Sequence, residues 1–455
     1  MRHLDYCVVG GGVVGLAVGA ALAPFGSVAV LERNGGLIQE TSSRNSGVVH
    51  SGLYYPADTL KTMLCTAGNQ NIWRLQQNFP DAIHAKRNGK WIGSCNNSED
   101  SQLEGLIERM KERHIPYTMV PQNQAHREEP LVRMHTIVNS SSTGIIDVHT
   151  LADFFHSIVV KSSDGYVLCD SDVIKVELPE KKRRCDAKSG DSSIKLTVAS
   201  PSHGDPNKSD SNGSNSDDTY TIDVDKAVIC AAGLQANTLW SRVSCGGASV
   251  AQPPSHRLYA CKGRYAGYRG KAPVSRLVYP CPLPNLVGLG VHSVVDVAGQ
   301  VRFGPDAAYV DSFDDVSVAR SASEEAAFLD SQYKAVRRYI PRIERKKFFA
   351  DFAGIRPKLA RQDEGFRDFL IEYIDQVVEA TEPASQNATL TPVMKSVKGG
   401  DSHHDGEAVV VWLNGIESPG LTASSAIGDY VTSWLVGPKR FNEHLSPWRN
   451  EKVAA

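Results

Sequence analysis

The chain has 455 residues, 41% hydrophobic and 22% charged, with a formal net charge of −2. That length can bury a large core, in an expected two domains, and the near-neutral charge excludes a global pull toward nucleic acid or anionic membrane. No apolar run reaches the roughly 20 residues of a bilayer span, and nine scattered cysteines without a CxxC pair argue for free thiols over a disulfide framework or a metal site.

Leu4–Val9 is a short apolar run suited to a buried parallel strand, Val13–Ala23 reads as a helix, and Ser27–Leu31 as a second buried strand. This is a βαβ opening. A strand beginning by Leu4 leaves no room for a targeting peptide in the sequence as it stands. The cytoplasm is therefore the expected compartment, unless an upstream or internal signal directs the chain to mitochondria. Leu60, Leu64, Ala67, Leu75 and Phe79 recur at near-helical spacing and predict a helix over about 58–79. A second helix is expected over 98–113, with Ser98 as N-cap. Strands are expected over 166–178 and 194–199, Lys226–Cys230 is a third buried parallel-type strand, and alternating segments between about 255 and 310 suggest an antiparallel sheet. Ala408–Leu413 is a last buried strand, followed by a glycine loop and a helix from about Thr422. Residues 201–218 and 380–407 are too poor in apolar side chains to offset chain entropy and read as disordered inserts. His403 and His404 in the second are adjacent, but no metal site is assigned.

Gly10, Gly12 and Gly15 form G-x-G-x-x-G between the first strand and the first helix. The first glycine permits the tight turn, the second lets backbone approach a pyrophosphate, and the third allows close helix–strand packing at a helix N-terminus. Glu32 ends the second strand, where a carboxylate can bind ribose hydroxyls and would repel a 2′-phosphate. Strand, turn, helix, strand and acid in order predict a dinucleotide, and three later features favour FAD over NAD. KAVICAAG (226–233) is a strand running into a small-residue turn at Ala232 and Gly233. GIESPGLTASSAIG (415–428) is a glycine loop opening a late helix, whose N-terminus can stabilise negative charge on a reduced flavin. TSSRNSGVVHSGLYY (41–55) is a small, polar stretch ending in His50 and Tyr55.

These residues resemble the FAD-dependent oxidoreductases of the D-amino-acid oxidase and glycerol-3-phosphate dehydrogenase superfamily, and within it the L-2-hydroxyglutarate dehydrogenases and oxidases. The matching stretches are DYCVVGGGVVGLAVG, NSGVVHSGLYY, TGIIDVHTLADFF, CAAG, GVH (290–292), FGPDA (303–307), AGIRPKL (353–359) and ESPGLTAS (417–424). The resemblance implies an α/β fold: a Rossmann-like FAD-binding domain assembled from residues 1–80, 145–250 and 350–455. A second, α+β substrate domain would form around a mixed or antiparallel sheet from 81–144 and 251–349. FAD would lie extended, with its adenine near Glu32 and its ring near 41–55 and 415–422. The expected cofactor contacts are Gly10, Gly12, Gly15, Glu32, Arg44, Ser46, Gly47, Val173, Ala232, Gly233, Gly415, Ser418, Gly420, Leu421 and Thr422, with Ser42, Ser43 and Gly52 alongside. After GVH this chain has Ser293-Val294, where relatives more often carry Phe-Thr or Leu-Thr.

Oxidising a 2-hydroxy acid requires the C2 hydride to face flavin N5, a base for the hydroxyl proton, and cations for the carboxylates. His50 and His292 are the two base candidates, His50 alternatively a covalent flavin anchor. Arg356 is the first choice for the C1 carboxylate, and a structural tie between domains is its plain alternative. A five-carbon diacid needs a second cation: Lys262 and Arg264 in CKGRY, Arg302 and Lys358 are the candidates, with Tyr55 and Tyr265 adding hydroxyls. The expected reaction is L-2-hydroxyglutarate to 2-oxoglutarate, its electrons passing to a quinone, another acceptor or oxygen. Oxidation of an amine, an amino acid or glycerol 3-phosphate, and a non-catalytic redox sensor, are the competing readings. No nucleic-acid partner is expected; peripheral membrane docking stays open.

Overall fold

The structure, a computed structural model, describes residues 3–180, 192–200, 218–282, 290–379, 389–397, 404, 406–444 and 446–449. Its largest sheet has eleven strands. Five of them form a parallel set in the order Gly165–Leu168, Val28–Leu31, His3–Val9, Asp218–Cys230, Val409–Asn414. These strands come from five separated parts of the chain, and their apolar runs explain the arrangement. Val8, Val28, Val30, Val228, Ile229, Val409 and Val411 are fully buried, as expected for strands covered on both faces. The helix Val13–Leu22 follows the first strand, and the helix Gly420–Val436 follows the last parallel strand. These two helices meet backbone to side at Gly428, where an added Cβ would lie 2.7 Å from the Ala17 carbonyl oxygen. Beyond Val409–Asn414 the sheet continues antiparallel through Leu370–Glu379 and Thr389–Ser396. Ile194–Ser200 pairs with both Asp172–Leu178 and Asp218–Cys230, so the far end of the sheet folds back on itself.

A second, five-stranded sheet is antiparallel throughout: Tyr259–Tyr268 pairs with Val301–Gly304, Ala308–Val310 and Phe348–Lys358, and His292–Val295 pairs with Val301–Gly304. A four-stranded sheet joins Leu277–Pro280 in parallel to Lys90–Ser94, which continues antiparallel into Thr136–Ser140 and Tyr117–Met119. A small sheet of Val48–Val49, Gly144–Ile146 and Ala85–Lys86 lies between.

Several sequence expectations are corrected. Thr389–Ser396, inside the expected insert 380–407, is a strand. Leu390 is fully buried, and the run pairs in register with Leu370–Glu379, so partner pairing outweighs its polar composition. Residues 201–217 and 380–388, and His403, lie outside the described residues. His404 packs tilted against Trp434, ring centroids 5.2 Å apart, and bonds the Glu407 carbonyl through Nε2 at 2.7 Å. The helix expected over 58–79 runs Leu60–Asn78, and Thr59 caps it by accepting from the Thr62 N–H. The next spans Asp100–Glu112; Ser98 does not cap it but sits in a preceding 3-10 turn, its hydroxyl donated to Asn96 Oδ1. The run 166–178 breaks into Gly165–Leu168 and Asp172–Leu178 at Asp170, which has a positive φ of 51°. The last long helix starts at Gly420, two residues before Thr422. His292 begins the strand His292–Val295.

Candidate active site

The C-terminal ends of the parallel strands open on one cavity of about 930 Å³. At its nucleotide end, Gly10 has a φ of 119°, and an added Cβ would lie 2.4 Å from the Ala231 oxygen. A Cβ on Gly15 would lie 1.9 Å from the Gly10 oxygen, so only glycine lets this turn close beneath the helix. The helix Val13–Leu22 begins there without its own side-chain cap; the Ser42 hydroxyl instead accepts from the Val13 N–H at 3.1 Å. Glu32 accepts from the Gly11 and Asn34 N–H groups at 2.8 Å each. Burial raises its carboxyl above the ordinary value, against the pull of those two donors. Val173, Ala232 and Gly233 line the same end.

The middle of the cavity is built by residues 41–50. Thr41 donates to the Ile355 carbonyl and Arg44 reaches the Ala353 carbonyl, which fixes this stretch across the strand Phe348–Lys358. Ser42, Arg44, Ser46 and His50 line the cavity. Thr422 does not line it: its buried hydroxyl donates to the Val48 carbonyl and accepts from the His50 N–H at 3.0 Å. The His50 carbonyl in turn accepts from Asn69 Nδ2 at 2.9 Å. Gly47, Gly52 and Ser43 are also outside the cavity lining. A Cβ on Gly47 would meet the Ile146 oxygen and one on Gly52 would meet Thr66, so these glycines make room for chain, not ligand. The Ser43 hydroxyl is donated to the Glu40 carbonyl.

At the far end stand His50, Tyr54, Tyr55, Tyr265, Tyr279, His292 and Arg356. His292 stacks on Tyr279 with centroids 3.7 Å apart, and its Nδ1 lies 2.9 Å from the Gly290 carbonyl. A carbonyl only accepts, so Nδ1 carries the hydrogen and Nε2 keeps its lone pair. Burial, with the charges of Lys90 and Arg356, pushes His292 down to about 3 against that bond. Burial, Lys90 and His292 push His50 down to about 3 as well. Both imidazoles are thus neutral near pH 7. The Tyr55 hydroxyl pairs with Ser418 at 3.1 Å.

Arg356 faces Cys261 across the strand pair, Nη1 to Sγ 3.7 Å. Two residues along, on the same face, Gly263 pairs with Gly354, and an added Cβ on Gly263 would lie 2.7 Å from Arg356 Nη2. The glycine is the space that the guanidinium occupies. Strand alternation then decides the other cations. Gly263 and Tyr265 line the cavity, so Lys262 and Arg264 point away from it. Lys262 pairs with Asp315 at 3.0 Å and Arg264 with Asp306 at 2.7 Å. Arg302 is held by Asp296 and Asp351. Lys358 does line the cavity, sharing the carboxylate of Glu417 with Lys61 at 3.0 Å each. Burial works against the Glu417 charge, but Lys61, Lys358 and Arg356 outweigh it and hold the carboxyl below its ordinary value. Ser293 lies off the cavity: its hydroxyl accepts from the Val278 N–H at 2.7 Å and staples the neighbouring strand. The sequence reading missed Lys61, Glu417, Tyr54, Tyr279 and Lys90. Only Lys90 carried a legible oddity, a lysine inside the apolar strand run KWIGS.

A family model described as FAD dependent oxidoreductase matches residues 5–434. The chain belongs to this family. It is 29% identical over 446 residues to a protein of Arabidopsis thaliana named L-2-hydroxyglutarate dehydrogenase, mitochondrial, across 95% of this chain and 83% of that one. A Homo sapiens protein of the same name is 25% identical over 394 residues, across 79% of this chain and 78% of its own. Among solved structures, the L-alpha-glycerophosphate oxidase of Mycoplasma pneumoniae superposes with a TM-score of 0.66 at 21% identity, covering 96% and 95% of the two chains. The glycine oxidase of Geobacillus kaustophilus gives 0.63 at 16% identity, covering 96% and 95%. These two share the fold.

The chain is accordingly an FAD-dependent oxidoreductase, and its cavity suits that cofactor. The glycine turn and the first helix N-terminus offer N–H groups to a pyrophosphate. Glu32 keeps lone pairs for ribose hydroxyls. Gly415, Ser418, Gly420 and Leu421 line the cavity where the last long helix begins without a side-chain cap, a positive dipole end for an electron-rich ring. Among the described residues no group of three His, Cys, Asp or Glu could hold a metal ion, and no helix is long and apolar enough to cross a membrane.

Proposed function

We propose that this flavoenzyme oxidises a 2-hydroxy acid, L-2-hydroxyglutarate, to the 2-oxo acid. The observation that carries this reading is the presence of one half-buried guanidinium, Arg356, with two neutral imidazoles, His50 and His292, in the lining of one cavity. A carboxylate and an adjacent hydroxyl need that set. Arg356 fixes the C1 carboxylate through its planar fork. The hydroxyl proton passes to an imidazole, and the His292 geometry supports that role because its Nε2 lone pair is free of the Nδ1 bond to Gly290. Bound flavin supplies the acceptor for the C2 hydrogen with its electron pair. Tyr265 adds a hydroxyl beside Arg356 and Tyr55 one beside Ser418, and Lys61 and Lys358 place further positive charge around Glu417 for a second carboxylate. The names of the relatives point to the same substrate.

The test is anaerobic addition of 2-hydroxy acids in both enantiomers, with amino acids and glycerol 3-phosphate as further arms. L-2-hydroxyglutarate should bleach the flavin absorbance. A flavin that stays oxidised with it, yet bleaches with an amino acid or glycerol 3-phosphate, overturns this reading in favour of those substrates. Air admitted after bleaching separates an oxidase from a dehydrogenase that needs a quinone or another acceptor.

A further inference from the structure

Lys90 opens the strand Lys90–Ser94, and only 1% of its surface is exposed. A buried lysine is costly unless its charge is compensated. Here the ammonium lies over the Tyr54 ring at 4.6 Å and the Tyr279 ring at 4.7 Å, so two aromatic faces stabilise the cation. Tyr279 is also the plate on which His292 stacks at 3.7 Å. With that ring as shared neighbour, the ammonium and the His292 imidazole lie within about 9 Å of each other. Lys90 does not line the cavity itself, so it cannot touch substrate; it acts from behind the wall.

We propose that Lys90 is a positioning residue of the site: its ammonium holds the Tyr279 plate on which His292 stacks and acts on that imidazole by its charge from behind the wall. A positive charge behind the wall repels an imidazolium and leaves a neutral ring untouched. The groups that face it are Tyr54 from the loop after His50, Cys65 from the helix Leu60–Asn78, Tyr279 from the adjacent strand, and His50 and His292 across the wall. Burial pushes the Cys65 thiol up to about 12, so it stays neutral and adds no charge to this group. Burial lowers the Lys90 ammonium to about 7, and the two ring faces favour keeping it charged. The inference extends the histidine-base reading, but its primary test needs no substrate.

The flavin-loaded protein is labelled at histidine Cε1 and titrated by NMR, with the two resonances assigned by His50→Gln and His292→Gln. Lys90→Met should raise the titration of His292 by about one pH unit, the size of one charge across about 9 Å at an effective dielectric of about 20. Lys90→Arg should leave it near the wild-type value. If L-2-hydroxyglutarate is turned over, the acid limb of kcat/KM should move up with the same variant and by the same amount. Unchanged histidine titration in folded Lys90→Met overturns the inference, whatever the substrate proves to be. If Lys90→Met does not fold, Lys90→Gln takes its place. If neither neutral variant folds while Lys90→Arg does, the charge is structural and the inference is overturned as well. An unbleached wild-type flavin, by contrast, counts only against the proposed substrate.

Discussion

Arg356 owes its place to a missing side chain. The cavity wall at Gly263 is open by one methyl group, and the guanidinium fills that opening. Gly263→Ala should therefore displace Arg356 without altering flavin content. The expected loss in kcat/KM is about 10- to 100-fold, the worth of one charge-assisted hydrogen bond. Arg356→Lys should lose at least as much, because an ammonium lacks the bidentate fork. Steady-state kinetics at matched flavin occupancy checks both; unchanged kcat/KM in Gly263→Ala would show that the guanidinium is not the carboxylate site. His292 carries a stability signature too. Its folded value of about 3 lies below the ordinary 6.5, so the unfolded chain binds its proton first as pH falls. Stability from this group is thus fully present above about pH 6.5 and declines down to about pH 3, by up to about 1.4 kcal/mol per pH unit. His292→Gln should flatten the acid side of the denaturation profile in that window. At this scale the motifs lead to the cavity but not to the direction of each side chain. His50, His292 and Arg356, read from motifs, all line it. Lys262 was chosen from the same strand that forms the wall, and only the pairing of Cys261 with Arg356 reveals that Lys262 falls on the other face.

Elements were legible where one period dominated. The βαβ opening and the strand before the last helix stand out because they are buried on both faces and read as unbroken apolar runs. Thr389–Ser396 was missed because its stability comes from Leu370–Glu379 beside it, which a local reading does not contain. The start of the last long helix was placed two residues late, and that offset matters for Thr422. The sequence suggested a cofactor ligand; the structure makes it a clamp between the helix Gly420–Val436 and the stretch that carries His50. Thr422→Val keeps the shape but removes the hydroxyl, leaving the His50 N–H and the Val48 carbonyl without that partner inside the core. A loss of about 1–3 kcal/mol per stranded group is expected. Thr422→Ser should retain most of the wild-type stability. Chemical denaturation separates the two, and equal midpoints for both variants would remove Thr422 from this role.

At the scale of the molecule, the cofactor cavity is also a joint. Its walls come from the first glycine turn, residues 41–55, the strand Asp172–Leu178, the turn at 231–233, both strands that frame Arg356, and the loop before the last helix. Each of these lies on a different part of the chain, and the parallel strands that carry several of them are brought together only in the folded state. An extended ligand spanning Glu32 to Arg356 would contact all of them at once and would have no counterpart site in the unfolded chain. Binding that discriminates so completely stabilises the fold by mass action, about 2.7 kcal/mol when free FAD stands at 100 times its Kd. Apoprotein should therefore melt at a temperature that climbs with added FAD, while AMP, which would reach only the Glu32 end and so bind more weakly, should raise it less at equal concentration. Gly10→Val places a side chain 2.4 Å from the Ala231 oxygen and should abolish the FAD-dependent rise. Differential scanning fluorimetry against FAD concentration makes the measurement. A melting temperature independent of FAD in the wild-type apoprotein would mean that FAD does not bind the folded chain in preference to the unfolded one, and would overturn this cavity as the cofactor site.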